Sequence, residues 1–461
     1  MTPQSPSTIP LPPSYEALET TLSICPECRT RVNAVITVKD ASVYLVKQCF
    51  SHGQQIELLE KNAAYYRDRA LYTKPGTRSK TQTAVNKGCP FDCGLCPEHD
   101  QHSCIGLIEI NSTCELECPS CYTGRMVTPD LTLDEVNGML DFLQDAEAGR
   151  GEILQVSGGE PTLHPRVLDI LRLAKTKGFK YVLLNTNGLR IAEDPAFVRE
   201  LAKLLPQFEV YLQFDGLSES GHSLLRGRDL RSQKDQAVRN LTAAGIPVTL
   251  VATVQKGVND HEIGDILRYG MSTDGVRGVN YQPLAFYETT DAAERLDRVT
   301  LTGILESLEK QTRSEFKMSD FVPLPCNVER VALTFCYRDG QTFIPITRKV
   351  NVRDYLPVIN NTFAFDADDF LAQQACASGV CNCLGAFLDR LKPLIPSDYG
   401  RRTMGEKVDF FNRNLFRISV SSFVDVYNFD LKSAQRECVH VVTRDLRRIP
   451  FSTYNMFYRN P

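Results

Sequence analysis

Ten of the sixteen cysteines lie between Cys25 and Cys121, in groups whose spacing is that of metal ligands. In the first group, Cys25-Pro-Glu-Cys28 is followed by Cys49-Phe-Ser-His52. Two close pairs, each able to turn a knuckle around one ion, are what a tetrahedral metal needs. Three thiolates with one imidazole suit zinc, or iron in a rubredoxin-like site, and four protein ligands close it for a structural role. The second group is Cys89-Pro-Phe-Asp-Cys93-Gly-Leu-Cys96, followed by Cys104, and the third is Cys114-Glu-Leu-Glu-Cys118-Pro-Ser-Cys121. Both loops read Cys-x3-Cys-x2-Cys, which lets one loop wrap a corner of a [4Fe-4S] cube; a zinc-binding loop is the alternative. Three thiolates leave one iron open to a substrate or cofactor, and Cys104 is a candidate to close the second site. The remaining cysteines are Cys326, Cys336, Cys376, Cys381, Cys383 and Cys438.

These groups must be held by folded structure. The 461 residues are 42% hydrophobic and 23% charged, which excludes wholesale disorder. Lys+Arg 52 against Asp+Glu 56 leaves a net charge of −4, so no basic excess points to nucleic acid. No apolar run approaches the roughly 18 residues of a membrane span. The first twenty residues have neither the basic nor the apolar region of a secretory signal. The expected location is therefore cytoplasmic, where clustered cysteines bind metal rather than pair.

Five regions are expected: a disordered tail over 1–20, a metal-knuckle region over 21–80, an auxiliary cluster loop over 81–104, a core over 105–290, and a C-terminal region over 291–461. In the core, β-rich runs at 107–110, 153–156, 181–184, 210–214, 248–254 and 278–281 alternate with helix-period segments. One helix opens on a capping box, Thr132 and Glu135, with Val136, Met139, Leu140 and Leu143 on one face. Another begins at Pro165 and stops at Gly178. Six β/α units with short loops predict an α/β fold, a parallel sheet covered by helices and curved into a full or partial barrel, with function at the carboxyl ends of the strands. Farther on, 381–395 reads as a helix with Leu384, Phe387, Leu388 and Leu391 in one stripe, and the end of the chain as two short strands around a turn.

The third cysteine group directly follows the first strand, and other motifs follow later strands in order. They are Ser157-Gly158-Gly159-Glu160-Pro161, Asn185-Thr186-Asn187-Gly188 and Gln213-Phe214-Asp215-Gly216. Together these resemble a radical S-adenosylmethionine (SAM) enzyme. The resemblance implies a partial (β/α)6 TIM-like barrel. It also implies a SAM-binding cluster on Cys114, Cys118 and Cys121, with Gly158, Gly159 and Glu160 at the methionine amino group. Asn185, Asn187, Gln213 and Asp215 fall at ribose and carboxylate contacts. Ser120 stands where the family often has an aromatic residue, so Tyr122 is the candidate to pack on adenine. SAM is then cleaved to a 5′-deoxyadenosyl radical that abstracts hydrogen, with reduced flavodoxin or ferredoxin as electron donor.

Two tandem Cys-x3-Cys-x2-Cys loops behind a knuckle resemble, more narrowly, the group containing archaeal tetraether lipid synthase, earlier proposed to methylate a pterin. That resemblance implies a mononuclear zinc or iron at Cys25, Cys28, Cys49 and His52, and [4Fe-4S] clusters on the two loops. A third cluster would be C-terminal, with ligands drawn from Cys326, Cys336, Cys376, Cys381, Cys383 and Cys438, of which Cys326 and Cys438 are the expected pair, although Ser452 replaces a cysteine of the family pattern. The activity implied is C–C coupling of lipid alkyl chains with peripheral membrane contact; the alternative is methylation of a pterin-like small molecule.

Overall fold

The computed structural model describes residues 9–123, 128–287, 290–356 and 413–459, with isolated positions between 398 and 410. The helix expected at 381–395 and Cys376, Cys381 and Cys383 lie outside the described residues.

Four strands, β1 (Glu16–Ile24), β2 (Arg31–Lys39), β3 (Ser42–Cys49) and β4 (Gly53–Glu60), form an antiparallel sheet in sequence order. The pairs Ile24↔Arg31 and Cys49↔Gly53 close two hairpins, and antiparallel order brings both turns, each carrying a knuckle, to one end of the sheet. Within the stretch expected as a tail over 1–20, the described residues are folded onto the sheet. Glu16 to Thr20 pair with β2, Tyr15 packs edge-on against Tyr44 at 5.4 Å, and Ile9 is buried. Alternating apolar residues here outweigh the local Pro/Ser bias.

The second sheet carries β5 (Ile105–Glu109), β6 (Ile153–Ser157), β7 (Tyr181–Thr186), β8 (Phe208–Gln213), β9 (Val248–Val254) and β10 (Val276–Pro283), parallel and side by side in sequence order. These are the six expected strands. Helices Leu133–Ala146, Val167–Thr176, Arg231–Ala243 and Ile263–Ser272 cover the outside with their apolar faces. The capping box forms: Thr132 Oγ1 accepts from the Glu135 N–H at 3.2 Å, and Glu135 Oε2 accepts from the Thr132 N–H at 2.7 Å. Gly178, at φ 78°, ends the next helix in the left-handed conformation that favours glycine.

The C-terminal region enlarges this same sheet at both edges. Its strands are β11 (Val322–Pro323), β12 (Val331–Asp339), β13 (Thr342–Pro345), β14 (Leu415–Ser421), β15 (Val439–Val442) and β16 (Arg448–Pro450). β14 pairs parallel with β10, and β12 then pairs antiparallel with β14. β15 crosses to the far edge and pairs parallel with β5, followed by antiparallel β16. Among the described residues the pairing path stays open, ending at β11 and β16, so the barrel is partial. No helix of the described residues is long and apolar enough to cross a membrane.

Arg448 of β16 locks the far edge. It is fully buried, pairs with Glu147 at the end of helix Leu133–Ala146, and donates to Gln82 Oε1 (3.0 Å), Ser79 Oγ (3.1 Å) and the Lys80 carbonyl (2.7 Å). Removing one partner of a buried pair leaves the other charge uncompensated. Arg448→Ala should therefore destabilise the protein by about 3–5 kcal/mol, measured by urea unfolding of the holoprotein; a change below about 0.5 kcal/mol, the range of ordinary surface substitutions, would refute this role.

Candidate functional site

The parallel strands enclose a cavity of about 240 Å³. The loop after β5 brings Cys114, Cys118 and Cys121 to its wall, Cys114 and Cys121 exposed and Cys118 half-buried. The motif after β6 runs directly beneath this loop. The Gly159 N–H donates to the Asn111 carbonyl and the Glu160 N–H to the Thr113 carbonyl, both at 2.8 Å. A Cβ at Gly158 would lie 2.4 Å from Asn111 Oδ1, and one at Gly159 would lie 2.4 Å from the Thr113 carbonyl oxygen. The two glycines are thus required by the cysteine loop itself, which crosses them at backbone contact.

Glu160, expected at the methionine amino group, lines the cavity and is held by four hydrogen bonds. Its Oε1 accepts from Thr162 N–H (3.0 Å), Thr162 Oγ1 (2.6 Å) and Thr186 Oγ1 (2.6 Å), and its Oε2 from Asn187 N–H (2.7 Å). Burial pushes its pKa up, against these hydrogen bonds. The carboxylate therefore ties the exits of β6 and β7 together while one face lines the cavity. Asn185, Asn187 and Gln213 line the same wall, with Asn185 Nδ2 donating to Ser157 Oγ (3.3 Å) and Asn187 Nδ2 to Glu115 Oε1 (3.2 Å). Tyr122 lines it too, held edge-on by Phe451 at 5.3 Å and Tyr287 at 6.2 Å.

Asp215 is the clearest departure. It is fully buried, does not line the cavity, and accepts two hydrogen bonds from Arg226, at 2.6 and 2.8 Å, and one from the Thr253 N–H at 3.0 Å. Burial would raise its pKa, and the guanidinium holds it below the ordinary carboxylate range. Arg226 lines the cavity instead, on a wall it shares with Cys118. A lone arginine ending helix Glu219–Arg226 carries no sequence signature, so this residue was missed.

The knuckle residues Cys25, Cys28, Cys49 and His52 bring their ligand atoms within 4.8 Å of one another. Cys28 and Cys49 sulfurs are 3.8 Å apart, and His52 Nδ1 is 3.5 Å from both Cys25 and Cys49 sulfurs. The Thr30 hydroxyl helps bring the Cys28 thiol down to about 6, favouring the thiolate a metal needs. Cys89, Cys93 and Cys96 surround a small separate pocket with His99.

Cys104 does not close that second site. The parallel register Ile105↔Val439 sets Cys104 beside Cys438, with the Ile105 N–H donating to the Cys438 carbonyl at 3.2 Å. Cys326, just after β11, completes a fully buried triad, 3.8 Å from Cys104 and 3.6 Å from Cys438. Three soft thiolates in one place fit a metal or Fe–S group with one ligand position left open. Ser452 is no ligand here: its hydroxyl donates to Glu437 Oε1 (2.9 Å) and accepts from the Val424 N–H (3.0 Å). Cys336 points into the main apolar core, away from the triad. Pairing between strands so distant in sequence, which creates the triad, could not be read from spacing.

A Radical SAM superfamily model matches residues 84–270, and an HMPTM N-terminal zinc ribbon domain model matches residues 17–61. The chain is 30% identical to a 7,8-dihydro-6-hydroxymethylpterin dimethyltransferase of Methanocaldococcus jannaschii, over 95% of this chain and 94% of that one. The chain belongs to the radical SAM superfamily. A second radical SAM-region match is to GTP 3′,8-cyclase 1 of Mycobacterium tuberculosis, 23% identical over 51% of this chain and 65% of that one. Streptococcus suis SuiB bound to S-adenosylmethionine aligns with 46% of this chain and 47% of its own at a TM-score of 0.38 and 15% identity.

As a radical SAM enzyme the chain has a donor set suited to its cofactors: a cysteine loop open to the cavity and a closed four-ligand knuckle. The triad generates a metal-content prediction. Cys104→Ser, Cys326→Ser and Cys438→Ser should each lose the same share of bound metal and labile sulfide, and Cys104→Ser combined with Cys89→Ser should lose two separate shares. Elemental and sulfide analysis would contradict the grouping if Cys104→Ser and Cys89→Ser removed one common share.

Proposed function

We propose that this radical SAM enzyme functionalises a carbon of a small polar heterocycle, adding a one-carbon group as in methylation of a pterin-like compound. When bound, SAM and the reduced cluster on Cys114, Cys118 and Cys121 supply a 5′-deoxyadenosyl radical, with reduced flavodoxin or ferredoxin as the electron source. The observation that carries the reading is the polar arc of the cavity. β8, β10 and β14 present Tyr211, Gln213, Asn280, Gln282, Arg417, Ser419 and Ser421 to it, a lining suited to hydrogen-bonding a polar ligand. The name of the Methanocaldococcus jannaschii relative supports the same class of substrate.

The chain's own residues then have separate tasks. Tyr122, backed by Phe451 and Tyr287, offers a ring face edge to the adenine region. Arg226, fixed by Asp215, presents a cation beside Cys118 where the SAM carboxylate would be neutralised. Leu107, Leu116 and Phe451 give the cavity apolar wall on the side of the cysteine loop and Tyr122.

Coupling of lipid alkyl chains is the second reading. It is favoured by the apolar arc of Ile105, Leu107, Val331, Leu333 and Val439, and by the thiol triad behind it. Ile105, Asn327, Glu437 and Val439, which line the cavity, each adjoin a triad cysteine in sequence.

Cys118→Ala should abolish 5′-deoxyadenosine formation, and unchanged formation would remove the assignment of this loop. Arg226→Met should weaken SAM binding at least tenfold by equilibrium dialysis while the knuckle retains its metal; full SAM affinity would contradict its anchoring role. The product is read by mass spectrometry of an anaerobic host expressing the protein, with Cys118→Ala as control. A metabolite heavier by about 14 Da, absent from the control, is the expected result. A lipid equal to two chains minus two hydrogens would replace the first reading with the second, and extracts identical to the control would overturn both.

A further inference from the structure

Within the polar arc, one amide is held in a single orientation with its donor unused. Asn280 Oδ1 accepts from Ser419 Oγ at 2.8 Å and from Ser421 Oγ at 3.0 Å. Both serines lie on β14, where the parallel register sets Ser419 against Asn280. With the oxygen on the two hydroxyls, the nitrogen lies on the other side of the amide. There Asn280 Nδ2 is buried and has no hydrogen-bond partner. Tyr211 stands beside it on the cavity wall, its phenol within interaction range of the Asn280 side chain.

An unpartnered buried donor is costly unless a ligand or water completes it. Arg417 lies on the same strand face as Ser419, two residues away, and also lines the cavity. Its register partner on β10 is Gly278, which has no side chain to cover it. Arg417 gives one N–H to Thr249 Oγ1 at 3.3 Å, one of the five that a guanidinium carries. The two donors therefore sit on adjacent strands, one neutral and fixed, one cationic.

We infer that Asn280, locked by Ser419 and Ser421 and assisted by Arg417, is the substrate-recognition seat of this enzyme, taking the lactam carbonyl edge of a heterocyclic substrate. This deepens the polar-heterocycle reading above and rests on it. A site built to donate to a carbonyl discriminates strongly against an analogue that lacks it, because the buried donor is then left empty. An alkyl chain offers it nothing. Asn280 is a specificity-determining residue for the bound ring.

The test uses the full chain, anaerobically reconstituted, titrated by equilibrium dialysis with 7,8-dihydro-6-hydroxymethylpterin and with the analogue lacking the ring carbonyl. Expected are a rise in pterin Kd of tenfold or more in Asn280→Leu, and a smaller rise in Ser419→Ala/Ser421→Ala, where the amide is unlocked. The carbonyl-free analogue should bind wild type and Asn280→Leu alike. Equal pterin Kd in wild type and both variants, or no pterin binding by wild-type protein that cleaves SAM, would overturn the inference. If Asn280→Leu does not fold, the double serine variant decides on the same criterion. Failure of SAM cleavage itself is scored separately, on 5′-deoxyadenosine, and bears on the proposed function rather than on this seat.

Discussion

Much of this molecule depends on the pairing of β15 with β5. Three parallel pairs, Val439↔Ile105, His440↔Gly106 and Val441↔Leu107, place the last part of the chain against the first strand of the sheet. The strand that launches the cysteine loop is therefore internal, held on one side by β6 and on the other by β15. The same pairing brings Cys438 to Cys104 and carries Phe451 to Tyr122. Gly106 makes it compatible with the helical layer, since a Cβ there would lie 2.2 Å from the Leu143 side chain. Contacts that join residues more than 300 positions apart are formed against a large loop-closure entropy, so the sheet can be completed only once the whole chain is present.

The cysteine loop is constrained by a second close approach, over Gly158 and Gly159. Its backbone hydrogen bonds to the following strand's exit leave no room for side chains below it. Glu160 then ties that exit to the next one through Thr186 and Asn187. Cofactor geometry at such a site is set by backbone packing, which a substitution of either glycine would disturb before any change in charge was felt.

The parts of the fold legible in sequence were those set by local signals. The strands from β5 to β10, the Thr132–Glu135 cap and the knuckle spacing all follow from period, capping chemistry or ligand spacing. The motifs after β6 and β7 do line the cavity, because a parallel sheet delivers every strand exit to one face. Asp215 misled for a definite reason. It has the right position after β8, but its carboxylate turns inward to Arg226, and only the three-dimensional partner decides that. Cys326 and Cys438 were expected together, but the place of Cys104 beside them and the seat at Asn280 were hidden for another reason: each joins strands whose adjacency depends on the C-terminal region entering the same sheet.

Buried charge around the cysteine loop completes the picture. Asp215 and Glu160 carry negative charge beneath it, and Arg226 and Lys234 positive charge. Lys234 donates to the Asn187 carbonyl at 2.5 Å, and burial pulls its pKa down to about 8. Glu160 satisfies its oxygens with neutral hydroxyl and amide donors, whereas Asp215 takes a guanidinium. The difference matters because a carboxylate held by neutral donors leaves the nearby cations uncommitted to it. Arg226 takes Asp215 with Nε and one terminal nitrogen, which also donates to Thr253 Oγ1 at 3.2 Å, and the residue lines the same cavity as Cys118. A bidentate anchor on one side fixes the direction of the other without consuming its charge, which is how a buried arginine can serve an incoming anion in a site that water does not screen.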